Sequence, residues 1–271
     1  MPSEVLDVAR VAVCLVFFTY ASWSDWKQRE VSNKVWLIMA PAALALTAFQ
    51  FTVYSPNMFQ SLQVLAISFG ITAALSIALF YAGAFGGADA KALMCLALAL
   101  PVYPNVLAKI LRFNASSMMI IFPLTVFTNG VLLAALTVVY SILHNCLWKV
   151  RDGNRSFFAG LENESFGRKG IAFLTGYKVK ASALEKSHMY PLEDVTVKEN
   201  GEVVRHLLVM PKDEQAEDVV KRVIKASQEG KISNEVWATP GLPLLIFITI
   251  GLVIALIFGN LVWIILSLIL T

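Results

Sequence analysis

The sequence predicts a polytopic α-helical membrane protein with six transmembrane helices and a small cytoplasmic α+β domain inserted between helices 5 and 6. Three observations carry this. First, 57% of the 271 residues are apolar and the mean hydropathy is +0.67, whereas ordinary soluble domains are about 45–50% apolar. Second, 14 of the 19 acidic residues fall between Asp152 and Glu235, so charge is gathered into one block. Third, the rest of the chain reads as apolar runs of about the 20 residues that a spanning helix needs.

Five runs have that length or nearly so: roughly Val5–Trp23, Val35–Tyr54, Phe59–Phe85, Ser117–Leu147 and Leu242–Leu270. The first could be mistaken for a signal peptide. Glu4 and Asp7 stand where a basic n-region belongs, so it reads as a retained membrane helix. Those two acids suit the N-terminus of helix 1. A sixth run, Ala90–Val102, reaches only about 20 Å at 1.5 Å per residue, short of a hydrocarbon core about 30 Å thick. It extends past Pro101, tilts little, or dips in and returns. If all six cross, 19 basic residues share one side, Lys27, Arg29, Lys34 and Lys91 among them, and three (Arg10, Lys109 and Arg112) take the other. The positive-inside rule then places both termini outside and the polar block in the cytoplasm. The division is residues 1–147 for helices 1–5, 148–240 for the cytoplasmic domain and 241–271 for helix 6.

The polar block has the grammar of a fold. VTVKENGEVVRHLLVM reads as a β-hairpin, with Asn200-Gly201 suited to a two-residue type I′ turn. DEQAEDVVKRVIKASQEG reads as a helix: Asp213 caps it, Val219, Val220, Val223 and Ile224 form one face, and Gly230 ends it. Glu217–Lys221 and Asp218–Arg222 are favourable i,i+4 pairs. VWATPGLP is expected to break the chain ahead of helix 6, and Asn129 in helix 5 to hydrogen-bond between helices.

Cys14, Cys95 and Cys146 show no CxxC spacing, and His144, His188 and His206 no ligand spacing, so no metal is expected. No nucleotide loop is present and no cofactor is expected. Acids interleave with bases at a net charge of +3, which gives no footprint for nucleic acid. The partners expected are the lipid bilayer and a protein substrate.

Outside the polar block the acids are Glu4, Asp7, Asp25, Glu30 and Asp89. Asp25 and Asp89 stand at the junctions of two apolar helices with the same side of the membrane, at similar depth. Two carboxyls held a few ångströms apart cannot both ionise cheaply and share a proton. The ionised one can activate water; the protonated one can polarise a carbonyl and then protonate the leaving amine. Each also has a plain structural reading. Asp89 can cap the helix that follows. Asp25 can be an interfacial charge beside Lys27 and Arg29, although the C-terminal end of a helix disfavours an anion. Gly86 and Gly87 can be a loop or a place of close backbone approach.

The segment SDWKQREVSNKVW resembles the first motif of the type IV prepilin peptidases: an aspartate closing helix 1, basic residues Lys27 and Arg29 shortly after, then an aliphatic residue two before Asn33. GGADAK, comprising Gly86, Gly87, Ala88, Asp89 and Lys91, resembles their second motif, GxGD followed by lysine. One helical hairpin separates the motifs, as in the GxGD membrane aspartyl proteases. The absence of a CxxC…CxxC insert, together with FPLTVFTNG and VWATPGLP, resembles the archaeal branch that includes preflagellin (prearchaellin) peptidases. The resemblance implies that Asp25 and Asp89 are catalytic. It further implies that the substrate is an archaellin or type IV pilin-like precursor, with a basic leader ahead of an apolar helix. Ala88 departs from the glycine of GxGD. Presenilin-like proteases, the alternative within this class, carry tyrosine before the first aspartate and a PAL motif after the second. Here Trp23-Ser24 precede Asp25 and no PAL follows Asp89. A non-enzymatic transporter or scaffold is the alternative outside it; transport predicts polar or broken helices at midplane.

Overall fold

The computed structural model describes residues 2–111, 121–152, 156–184, 189–197, 203–208, 213–241 and 243–270. The chain divides into two compact units, Met1–Ala134 with Pro243–Thr271, and Ala135–Leu242.

The first unit holds α1 (Pro2–Gln28), α2 (Asn33–Val53), α3 (Met58–Tyr81), α4 (Gly87–Ala99), α5 (Asn105–Leu111) and the start of α6 (Phe122–Asp152). It is completed by α9 (Leu244–Phe258) and α10 (Leu261–Leu270). Four helices are long and apolar enough to cross a membrane: Ser3–Gln28, Asn33–Val53, Met58–Tyr81 and Phe122–Arg151. They become five if α9 and α10 count as one span. Side-chain caps set two starts: Ser32 accepts from the Lys34 amide and Asn57 from the Gln60 amide.

The short sixth run becomes α4, a 13-residue helix packed against α2, α3 and α9. At about 20 Å it is too short to cross a bilayer alone. Eight of its residues are buried, four of them alanines, and small side chains let neighbouring helices come close. Its C-terminal end lies inside the bundle, where an unpartnered carbonyl is costly. The Ala99 carbonyl accepts from Arg10 Nη1 (3.2 Å) and Thr47 Oγ1 (3.1 Å). Arg10 is itself paired with Asp7 at 2.6 Å, and each is only 2% exposed. Gln50 and the Val106 amide also donate to Asp7. Asp7, expected only to suit the N-terminus of helix 1, also belongs to a buried network joining α1, α2, α4 and α5.

The last apolar run is not one helix. It bends by 57° between α9 and α10, where Gly259 takes a left-handed φ of 79° that side chains disfavour. Asn129 on α6 satisfies both groups exposed by the break, donating to the Gly259 carbonyl and accepting from the Leu261 amide, each at 2.9 Å. Its expected interhelical role is met, at the bend. Beside it Gly130 and Gly251 bring α6 and α9 into backbone contact. A Cβ at Gly251 would lie 2.7 Å from the Val126 carbonyl oxygen and 2.8 Å from the Gly130 nitrogen.

The second unit contains the end of α6, then α7 (Phe166–Thr175), α8 (Asp213–Gln228) and five strands. These are β1 (Tyr177–Lys180), β2 (Met189–Pro191), β3 (Glu193–Val197), β4 (Val203–Leu207) and β5 (Glu235–Pro240). β3 and β4 form the expected hairpin, antiparallel with Glu193 opposite Leu207 and Val197 opposite Val203. Its turn residues, Asn200 and Gly201, lie outside the described residues. β5 is the middle strand of an antiparallel sheet ordered β1-β5-β2. VWATP is therefore a strand rather than only a breaker, and Pro240 ends it, where a missing N–H costs least. α8 forms as expected and buries Val219, Val223 and Ala226. Arg222 does not close the local pair with Asp218; it forks onto Asp194 of β3 at 3.0 and 2.7 Å. The Asp213 cap and the Glu217 pair fall on side chains outside the described set.

Glu193 is fully buried. It accepts from the Trp237 amide at 2.7 Å and from Arg205 Nε at 2.9 Å. Burial pushes its carboxyl above the ordinary range, against the opposing charge of Arg205 and the Trp237 amide. An acid whose folded pKa lies above its unfolded value stabilises the fold below the unfolded value and costs stability as pH rises through the folded one.

Two outcomes are expected. Gly251→Val forces α6 and α9 apart and lowers stability by about 1–3 kcal/mol or more, read as a drop in thermal midpoint in detergent. Arg205→Ala leaves Glu193 buried without its cation and costs about 3–5 kcal/mol in urea unfolding at neutral pH. That loss shrinks as the pH falls through the raised pKa of the buried carboxyl, which then takes up its proton and no longer needs the cation.

Candidate active site

α1 carries Asp25 in its last turn, and the chain then reverses at Arg29, the one non-glycine residue with positive φ (57°) among those described. The Arg29 amide donates to the Asp25 carbonyl (3.0 Å), and Ser24 Oγ to the Glu30 carbonyl (2.8 Å), fixing the turn. An anion at the end of α1 is disfavoured by that helix, and two features offset this. The Arg29 charge lies within reach of the carboxyl, and the Leu245 backbone amide, at the start of α9, is directed at it. α9 is held there by Ser22, whose Oγ donates to the Leu245 carbonyl (3.1 Å) and shares a 2.7 Å hydrogen bond with Thr249.

Asp89 sits in the first turn of α4 and is nearly buried. It is not the N-cap. Gly86 holds that position, and Asp89, three residues on, reaches back so that its Oδ2 accepts from the Gly86 amide at 2.9 Å. A Cβ at Gly86 would meet that same oxygen at 3.1 Å, so this glycine leaves room for the carboxyl. Gly87 has no such need; a Cβ there would make an ordinary 3.7 Å contact with Phe80. Ala88 packs on the apolar core of the bundle.

Asp89 lies within electrostatic reach of Asp25. Each carboxyl faces backbone amides at a helix N-terminus, α9 for Asp25 and α4 for Asp89. Lys91 and Asn33 are joined to each other at 2.6 Å, tying α4 to the first residue of α2. Lys27 is not drawn in; its ammonium lies over the Trp23 ring, 4.8 Å from the centroid. Sequence reasoning missed the Leu245 amide, the Ser22–Thr249 link and the Ser24 contact. Pro243 ahead of an apolar run was a readable sign of a helix start, but which side chain that start would face was not.

Two carboxyls within reach of each other, at the ends of apolar helices, define a helical membrane protein equipped for acid–base chemistry. Residues 12–144 match the profile described as the Type IV leader peptidase family. Residues 168–261 match that described as Archaeal Peptidase A24 C-terminus Type II. The chain is also similar to the preflagellin peptidase of Methanococcus voltae, with 27% identity over 253 residues, covering 92% of this chain and 94% of that protein. Both profiles and this relative describe peptidases, and the chain is a peptidase.

Proposed function

We propose that the protein removes the short basic leader peptide from archaellin or type IV pilin-like precursors, and that Asp25 and Asp89 are its catalytic pair. The observation that carries this reading is the pair of carboxyls within electrostatic reach of each other, each beside a helix N-terminus, in a chain similar to these peptidases. The ionised carboxyl takes a proton from a bound water, whose oxygen attacks the scissile carbonyl carbon. The protonated carboxyl donates to the carbonyl oxygen and then delivers its proton to the leaving amine as the C–N bond breaks. The pair ends with one proton again and titrates as a unit, so neither role belongs to one aspartate.

The protein surroundings serve this chemistry. The Gly86 amide fixes the rotation of the Asp89 carboxyl, while the Leu245 amide and the Arg29 charge favour an anion at Asp25. The name of the Methanococcus voltae relative supports a preflagellin substrate. In the proposed topology α4 counts as a crossing, making six, with both termini outside and the polar unit cytoplasmic; the asymmetry of 19 basic residues against three supports it. Cleavage then falls at the cytoplasmic membrane edge, just before the apolar helix of the precursor.

Asp25→Asn and Asp89→Asn test this separately, because asparagine keeps the shape and removes the acid. Membranes carrying the wild-type protein are expected to cut an archaellin precursor ahead of its apolar helix. Each variant is expected to fold with an unchanged thermal midpoint and to cut at least about 10²–10⁴-fold more slowly. Normal cutting by either variant overturns the pair.

A further inference from the structure

Beyond α6, the described part of the second unit buries its large apolar side chains with one exception. Among the described residues 156–241, the exposed large hydrophobic side chains are Phe166 (92%), Ile171 (40%) and Leu174 (43%), and all three lie on α7. At 100° per residue they share one face of the helix with Gly167 and Gly170. A Cβ at either glycine would meet nothing within 4 Å, so packing inside the protein does not require them. Each glycine costs a water-exposed helix about 1 kcal/mol relative to alanine. Each large side chain left in water forgoes about 1.5–3 kcal/mol of burial. Such a face calls for a covering.

The place where α7 is held says what covers it. Asn145 of α6 is buried and donates to the carbonyls of Phe173 and Gly176, both at 2.9 Å, clamping the C-terminal end of α7. Gly176 fits this joint because a Cβ there would strike the Ala238 carbonyl oxygen at 2.6 Å. Asn145 lies inside the apolar segment Phe122–Arg151 that is long enough to cross a bilayer. α6 still exposes Leu147 and Val150 beyond that point, and Val150 is about 7.5 Å further along the axis. The end of α7 is thus fixed to a stretch of α6 that still exposes large apolar side chains. Arg168 and Lys169 border the apolar face on its two sides, and both are turned to the protein: Arg168 pairs with Glu164 at 3.2 Å, and Lys169 donates to the Glu162 carbonyl at 2.8 Å.

We propose that α7 is an interfacial helix. It lies on the leaflet from which α6 emerges, with Phe166, Ile171 and Leu174 in the boundary between headgroups and acyl chains. This anchors the second unit to the bilayer surface by a contact separate from the spanning helices, and it does not depend on which residues cut the substrate.

The test uses the full chain with Cys146→Ser, since Cys14 and Cys95 are buried. Phe166→Cys, Ile171→Cys and Leu174→Cys are made singly, with Lys221→Cys as the water-facing reference (73% exposed). Each carries an environment-sensitive fluorophore and is reconstituted into vesicles of phosphatidylcholine and phosphatidylglycerol. On α7, a lipid with a nitroxide near its headgroup is expected to quench several-fold more strongly than at Lys221, and aqueous iodide several-fold more weakly. That pattern corresponds to a depth of about 5–10 Å. Iodide quenching equal to that at Lys221 shows a face in water and overturns the proposal. Protection from both quenchers shows a face covered by protein, such as a second copy of the chain, and overturns it as well.

Discussion

A helix that ends inside an apolar bundle leaves backbone carbonyls that only the protein can satisfy. α4 is such a helix, and much of the first unit is arranged around it. Arg10 and Thr47 converge on the Ala99 carbonyl, while Asp7, Gln50 and the Val106 amide hold Arg10 and its counter-charge in place. Ser68 does the same for the next orphan, donating to the Pro101 carbonyl at 2.9 Å. A buried ion pair is a poor source of stability in itself. Here it fixes the height of a short rod whose other end carries Asp89.

The same constraint governs the other carboxyl. α1 ends with its negative pole beside Asp25, an arrangement that is unfavourable for one helix alone. It becomes tolerable because the amide end of α9 and the Arg29 cation meet the acid there. Burial, the Arg29 charge and a backbone amide surround Asp25, while burial and the Gly86 amide surround Asp89. The charged side chains near them largely serve other ends: Lys91 ties α4 to Asn33, and Lys27 rests on Trp23.

Elements with a strong periodic signal were legible in the sequence. The long spans, the hairpin strands β3 and β4, and the apolar face of α8 follow from runs and spacing alone, as does the candidate pair of acids. What escaped was decided by distant partners. Asp7 and Arg10 read as terminal charges because Gln50, Thr47 and the end of α4 lie far along the chain. The break at Gly259 was hidden in an unbroken apolar run, since glycine is common in membrane helices and only Asn129 makes a bend there tolerable. The proline of VWATP and the Gly241 that follows masked a strand whose neighbours, β1 and β2, come from well upstream.

The first unit is discontinuous, and this gives its assembly an order in time. Ser22 meets Leu245 and Thr249 across sequence separations of 223 and 227 residues, with the whole second unit made in between. At about 5–20 residues per second of synthesis, the start of α9 follows Asp25 by on the order of ten to forty seconds. Through that interval Asp25 stands at the negative pole of α1 without the opposing amides. The nascent protein therefore passes most of its synthesis before the Leu245 amide that faces Asp25 exists, and α9 supplies it late.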